Sequence, residues 1–336
     1  MLVSVLLFCL GLVFLIKGGD WFVDGAVGIA EHFHVPDLLI GATVVSIGTT
    51  LPEVMVSANS ALRGHGEMAY GNAIGSVICN TSLILAITIA VRPAEVERKD
   101  LKMPVIFFFI AAAFYAGIAY TTHRFTRLTG AILLLMFVVY MYFTVKNVIN
   151  LQKGGTADSA ARDTMKEAEN ENKQETPMPK LVLLLVVGAA LIAVGADLLV
   201  DNGTKIAEGL GVPESVIALT FIALGTSLPE LVTAITSLVK GHGALSLGNI
   251  CGANLFNLVL VSGLSIFLSP FDVPAEKTVM IGGREIISSL AIDIPVMFAV
   301  MLILTIPALG RGKLSRLQGI VLLCIYFAFT IFQFRG

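Results

Sequence analysis

Long apolar runs follow one another along the chain, separated by short polar stretches. They lie near residues 2–22, 37–62, 67–91, 103–121, 127–149, 181–200, 213–239, 244–268, 286–309 and 315–334. A hydrocarbon layer is crossed by about 20 apolar residues in a helix, so the pattern predicts about ten transmembrane helices. The runs are continuous and do not alternate, which favours helices over the strands of a barrel. One segment breaks the rhythm. Gln152–Lys180 mixes Lys, Glu, Asp, Asn and Gly without apolar periodicity and reads as a flexible linker. The expected organisation is a first five-helix repeat over 1–150, a linker over 151–180, and a second five-helix repeat over 181–336.

The two halves are copies. Shifting the chain by 177 residues superposes Asp20–Asn80 on Asp197–Asn257 without a gap. Gly48-Thr49-Thr50-Leu51-Pro52-Glu53 falls on Gly225-Thr226-Ser227-Leu228-Pro229-Glu230, Gly64-His65-Gly66 on Gly241-His242-Gly243, and Gly71-Asn72 on Gly248-Asn249. Asp20 and Asp24 fall on Asp197 and Asp201, and Asn80 on Asn257. Five spans are an odd number, so the second copy enters the membrane upside down. Inverted-topology repeats are a common build of secondary transporters.

Composition agrees with a membrane protein. Of 336 residues 56% are hydrophobic and 14% charged, against about a quarter charged in soluble domains, and the mean hydropathy is +0.87. The first run lacks a positively charged leader and reads as the first span rather than a cleaved signal. Cys9, Cys79, Cys251 and Cys324 fall inside apolar runs without a Cys-x-x-Cys pair, so neither disulfides nor a zinc cluster is expected. About fourteen basic residues flank the spans on the linker side against about seven opposite, which places the linker in the cytoplasm and both termini outside a cell membrane.

Each copy carries a carboxylate where one is expensive, about 2.5–3.5 kcal/mol at the centre of a spanning helix. Pro52 and Pro229 lack the N–H that would bond the carbonyls of Gly48 and Gly225, so both helices are expected to break there. Freed carbonyls are tolerated at membrane depth where they line a polar cavity or meet a ligand. Beside them stand the hydroxyls of Thr49, Thr50, Thr226 and Ser227, then Glu53 and Glu230. In the following span, residues four apart share a face. Asn72, Ser76 and Asn80 line one stripe, and Asn249, Ala253 and Asn257 its counterpart.

Pooled at the midplane, these are hard oxygen donors suited to calcium or sodium; zinc and copper prefer His or Cys. Two glutamates neutralise one divalent ion. Emptied, they would be two uncompensated buried charges costing several kcal/mol each, so the site needs a replacement cation before it reorients. Sodium ions or protons would each serve.

At these residues the chain resembles the cation/calcium exchanger superfamily, specifically its prokaryotic sodium/calcium exchanger branch, whose two repeats carry G-T-S-x-P-E/D followed by G-N-x-x-G-S-N. The resemblance implies an all-α membrane protein of ten helices in two inverted five-helix repeats, with broken helices at four central ion sites. It implies exchange of Ca2+ for Na+ by alternating access, with H+-coupled cation exchange as the alternative in the same fold. By motif position Glu53 and Glu230 would be the main calcium ligands, shared with sodium. Thr49 and Thr226 would add oxygens to the calcium site, and Thr50 and Ser227 would serve flanking sodium sites. The backbone carbonyls of Ser46 and Ala223 would join them, Asn80 and Asn257 would complete the centre, and Ser76 would be a sodium ligand. The chain departs from the pattern at Ala253 where serine is expected, at Asn257 where some members have aspartate, and at Val77 where asparagine is usual.

Other features weigh less. Asp20, Asp24, Asp197 and Asp201 suit interfacial ion pairs better than an ion entrance, and His65 and His242 suit turns. An intramembrane enzyme is disfavoured by the absence of His-Glu-x-x-His and of a serine or aspartyl pair. A channel would not need a duplicated site that closes around its ion. The expected partners are Ca2+, Na+ or H+ and the lipid bilayer, with no cofactor and no nucleic acid.

Overall fold

The computed structural model describes residues 2–33, 35–154, 176–209, 225–275 and 277–335. In chain order the first half supplies α1 (Leu2–His32), α2 (Asp37–Leu62), α3 (Gly66–Val91), α4 (Arg98–Thr122) and α5 (Arg127–Gly154). The second supplies α6 (Met178–Gly209), α7 (Leu228–Val239), α8 (Gly243–Leu268), α9 (Ser289–Arg311) and α10 (Arg316–Arg335). Nine of these are long and apolar enough to cross a membrane; α7 is the short tenth, preceded by residues outside the described set.

Short strands join the loops. β1 (Ala94–Glu95), between α3 and α4, pairs with β6 (Lys313–Leu314), between α9 and α10. β2 (Arg124–Phe125), between α4 and α5, pairs with β3 (Phe271–Asp272), between α8 and α9. The loop holding β1 is the repeat counterpart of the loop holding β3, yet α4 separates β1 from β2, so β1 and β3 lie on opposite faces. Inversion of the second repeat is therefore written into the pairing. At the tip of the first ribbon the hydrogen bond from Lys313, helped by its charge, holds the Glu95 carboxyl below its usual range. A hairpin of β4 (Thr278–Ile281) and β5 (Arg284–Ile287) turns at Gly282 and Gly283, whose positive φ suits a two-residue turn.

The repeats match in their turns. α2 ends at Arg63 and α7 at Lys240, and each is followed by a glycine with φ near +86°: 86° at Gly64 and 87° at Gly241. His65 N–H donates to Ser60 O at 2.9 Å and Gly64 N–H to Ala61 O at 3.0 Å; His242 donates to Ser237 at 2.8 Å and Gly241 to Leu238 at 3.2 Å. Both are Schellman caps, which need the left-handed backbone that glycine adopts freely.

α1 and α6 cross backbone to backbone. A Cβ on Gly11 would lie 2.9 Å from Gly195 O, and one on Gly18 would lie 2.9 Å from Gly188 O. The repeat shift carries Gly11 onto Gly188 and Gly18 onto Gly195, so the two contacts exchange with each other. Small residues allow this approach between membrane helices.

The expected breaks take two forms. Before α7 the chain turns at Thr226 and Ser227, and Pro229 sits in the helix's first turn, where its missing N–H costs nothing. α2 instead continues through Pro52, and its irregularity lies upstream in a widened π turn over Gly41–Val45. The interior proline costs one hydrogen bond and some bending, which the packed surroundings of α2 tolerate. Apolar residues such as Leu6, Val13, Ile106, Leu135 and Ile306 stand exposed on the outer faces, as lipid contact requires.

Candidate functional site

Glu53 and Glu230 each follow a proline and are fully buried, at 0% exposure. They lie within electrostatic reach of each other. Neither carboxylate oxygen of Glu53 has a hydrogen-bond partner among the described residues, and nor does Oε2 of Glu230. Oε1 of Glu230 accepts the Thr50 hydroxyl at 3.5 Å, a long bond from the other repeat.

Asn80 and Asn257 are also at 0% exposure, and none of their amide atoms has a partner among the described residues. Each opens a π turn, Asn80–Leu85 in α3 and Asn257–Ser262 in α8, at matching places in the repeats. Such turns widen a helix by one residue and leave its carbonyls loosely matched, which is why they gather at functional sites. The Ser262 hydroxyl takes up one of these carbonyls, donating to Asn257 O at 3.0 Å. Buried polar atoms are nearly always partnered, and each orphan costs about 1–3 kcal/mol. Four residues at paired positions here concentrate that cost, as a cradle for an ion would.

Around them runs a reciprocal frame. Thr49 Oγ1 donates to Asn249 Oδ1 at 3.2 Å, and Thr226 Oγ1 donates to Asn72 Oδ1 at 3.3 Å. The repeat shift turns one bond into the other. Asn72 Nδ2 also donates to Ser57 Oγ at 2.8 Å and to the Glu53 carbonyl at 3.3 Å, tying α3 to the proline turn of α2. Ser46 Oγ donates to Gly41 O at 2.6 Å across the first π turn and lies 3.0 Å from Asn249 O.

The remaining predicted residues fall as follows. Thr49 and Thr50 are buried one turn before Glu53, and the Ser46 carbonyl lies 3.5 Å from the Thr49 hydroxyl. Ser227 is buried at the start of α7, where its carbonyl accepts Leu231 N–H at 3.1 Å. Ser76 is buried one turn before Asn80, and Ala253 occupies the same place before Asn257. Ala223 lies outside the described residues. Asn254 fills the last position of the G-N-x-x-G-S-N pattern, where the first repeat has Val77, but it is not among the predicted ligands; its Nδ2 donates to Thr81 Oγ1 at 2.7 Å and so braces the residue next to Asn80. The cross-repeat role of Asn72 and Asn249 is likewise visible only in three dimensions.

A cavity of about 580 Å³ lies between α2 and α6. Thr49, Pro52, Thr226, Pro229, Met55, Asp197 and Asp201 are among the residues that line it. Among the described residues no three His, Cys, Asp or Glu side chains converge, so the donor set is two carboxylates with neutral hydroxyl, amide and carbonyl oxygens. Hard cations favour such sets, and Ca2+ takes about 6–8 oxygens.

Comparison with known proteins bears on this arrangement. The family model for sodium/calcium exchanger proteins matches residues 3–146 and again residues 180–335. The chain is 30% identical to the sodium/calcium exchanger MaX1 of Methanosarcina acetivorans, with 99% of each chain covered. It is 33% identical to the putative antiporter CaxA of Alkalimonas amylolytica over 100% of both chains. A structure of the sodium-calcium exchanger NCX_Mj, soaked with Na+ and Sr2+, superposes with a TM-score of 0.77 at 31% identity over 97% of each chain.

Proposed function

The chain belongs to the sodium/calcium exchanger family, and on that footing we propose that it is a secondary antiporter exchanging Ca2+ for Na+ by alternating access around Glu53 and Glu230. The observation that carries this reading is the set of orphaned oxygens on Glu53, Glu230, Asn80 and Asn257, two from each repeat. Their burial cost is offset when a cation enters: two carboxylates balance one Ca2+, and the amide oxygens fill out its coordination. Thr49 and Thr226 add hydroxyl oxygens while their protons hold Asn249 and Asn72 in place. Thr50, Ser227, Ser76 and the carbonyls of Ser46 and Ala223 serve the flanking sodium positions. The linker faces the cytoplasm, and the repeats over 1–150 and 181–336 are the units that meet at the site.

Exchange is obligatory for an electrostatic reason. An empty site holds two uncompensated charges in a medium of low dielectric, a state costing several kcal/mol per ion, so the occluded conformation forms only with a cation aboard. Neutral-oxygen neighbours leave room for sodium to replace calcium with the glutamates as shared ligands.

The test is calcium uptake into proteoliposomes loaded with sodium and diluted into sodium-free buffer, beside potassium-loaded and proton-gradient controls. Uptake that needs internal sodium and is lost in both Glu53→Gln and Glu230→Gln is expected. Uptake driven only by the proton gradient would replace sodium with protons, and uptake unchanged in either variant would sink the site.

A further inference from the structure

The two faces of the molecule are built from the same parts and held differently. On the linker face α7, which carries Glu230, ends at Lys240. That ammonium donates to Asp24 Oδ1 at 2.7 Å and to the Asp20 carbonyl at 3.0 Å, and it lies 3.6 Å from Asp20 Oδ1, all on α1. Nearby, Gly19 lets α1 close onto α7: a Cβ there would meet Val232 Cγ1 at 2.7 Å and Thr236 Oγ1 at 2.8 Å. His242, two residues on, pairs with Asp37 at the start of α2 at 2.9 Å.

The repeat supplies the same groups to the opposite face. Arg63 ends α2, which carries Glu53, as Lys240 ends α7. Asp197 and Asp201 stand on α6 where Asp20 and Asp24 stand on α1, and Ala196 takes the place of Gly19. Yet among the described residues Arg63 makes no ion pair, and neither Asp197 nor Asp201 meets a cation. Where α1 packs along α7 on the linker face, α6 touches α2 over a much shorter stretch and the 580 Å³ cavity opens between them, lined by Ala196, Asp197, Asp201, Met55 and Val56 together with Thr49 and Thr226.

We propose that these groups are two alternative latches: Lys240 on Asp20 and Asp24 holds the linker face shut in this conformation, and Arg63 on Asp197 and Asp201 holds the opposite face shut in the other. The proposal rests on the alternating-access reading above. α1 and α6 are joined backbone to backbone at Gly11–Gly195 and Gly18–Gly188, so a shift that draws α6 onto α2 takes α1 off α7. One latch then forms as the other parts. Each latch sits at the end of the helix that carries its repeat's glutamate, which couples the faces to the site. Charges at this exposure bias an equilibrium by about two- to fivefold, enough to favour a closed face without locking it.

Disulfide trapping in proteoliposomes tests this, with the exposed Cys9 and Cys324 replaced by serine. Asp24→Cys with Lys240→Cys marks the first latch, and Asp201→Cys with Arg63→Cys the second. Under mild oxidation both pairs are expected to bridge, each bridge stopping flux and each reversed by reductant. In the chain carrying all four cysteines, thiol counting by mass should find either bridge but never both. Charge alone is tested at a reporter between α1 and α7, Thr236→Cys: Lys240→Gln should raise its labelling by an impermeant maleimide from the linker side about two- to fivefold, and Arg63→Gln should not. A second pair that never bridges, both bridges in one molecule, or labelling unmoved by Lys240→Gln would overturn the latches. Bridging and labelling are read without any ion flux, so failure of sodium-driven calcium uptake alone would fall on the transport reading and leave the latches standing.

Discussion

The two repeats agree at the membrane centre and disagree at its edges. At the centre each supplies a glutamate after a proline, an asparagine opening a π turn, and a threonine bonded to the other repeat's asparagine. At the edges, among the described residues, one repeat's terminal cation is paired and the other's is not, and one helix pair packs closely while its counterpart is parted over much of its length by a cavity. On the alternating-access reading proposed above, a site that must look the same from either side is built symmetrically, and the parts that decide which side is open cannot be symmetric at any one moment.

The central likeness is most severely tested at the glutamates. Glu53→Gln and Glu230→Gln should each drop sodium-dependent calcium uptake to background and erase the stabilisation by calcium, which in the parent chain should reach about 2.7 kcal/mol at a hundredfold excess over Kd. A difference is expected in the ion-free protein. Glu53 has no partner for either oxygen among the described residues and Glu230 has Thr50, so Glu53→Gln should raise the ion-free melting temperature more. Equal shifts in thermal unfolding with and without calcium would show that the two carboxylates are not differently held.

Packing against the site gives the next largest effect. A Cβ at Gly252 would run into Ser46 Oγ and stand 2.7 Å from Ala42 Cα, so Gly252→Ala should cost about 1–3 kcal/mol as overpacking and displace Ser46 from Asn249. Thermal unfolding measures the first part. A loss of calcium affinity larger than the loss of stability would show that the α2–α8 contact positions ligands as well as helices.

Smaller still are the reciprocal bonds. Thr49→Val and Thr226→Val each remove one hydroxyl whose net worth is about 1 kcal/mol. Because the bonds exchange under the repeat, at 3.2 Å and 3.3 Å, the two variants should weaken calcium binding alike. A clear inequality, measured by calcium titration of unfolding, would mean that the repeats contribute unequally even at the centre.

Much of this was legible in the sequence, and for physical reasons. Carboxylates beside prolines in apolar runs are costly enough to stand out, and the 177-residue register pairs them. The inversion is expected from counting five spans, and the strand pairing is consistent with it. Less could be read where side chains leave no trace. A π turn differs from an α turn by one hydrogen-bond register, so Asn80 and Asn257 could be nominated but their widened turns could not. Pro52 suggested the same break as Pro229; whether a proline interrupts a helix or merely bends it depends on packing that the local sequence does not contain. The Thr–Asn bridges and the Lys240 pairs join residues 154 to 220 positions apart, and only the assembled repeats bring them together.

The finest discrepancy between the repeats is one oxygen. Ser76 stands one turn before Asn80, and Ala253 stands in the same place before Asn257, fully buried. If Ser76 serves a sodium position, its mirror lacks a donor. Ala253→Ser should restore it, and one hydroxyl ligand is worth about a two- to tenfold change in binding. The sodium concentration giving half-maximal calcium release should fall by that factor, with calcium affinity little changed because the glutamates dominate it. The reverse variant, Ser76→Ala, should raise it. The added hydroxyl is buried whether or not an ion meets it, so stability without sodium is the control. If Ala253→Ser only destabilises the ion-free protein and leaves the sodium dependence where it was, the alanine marks a position that sodium does not use, and the asymmetry belongs to packing rather than to transport.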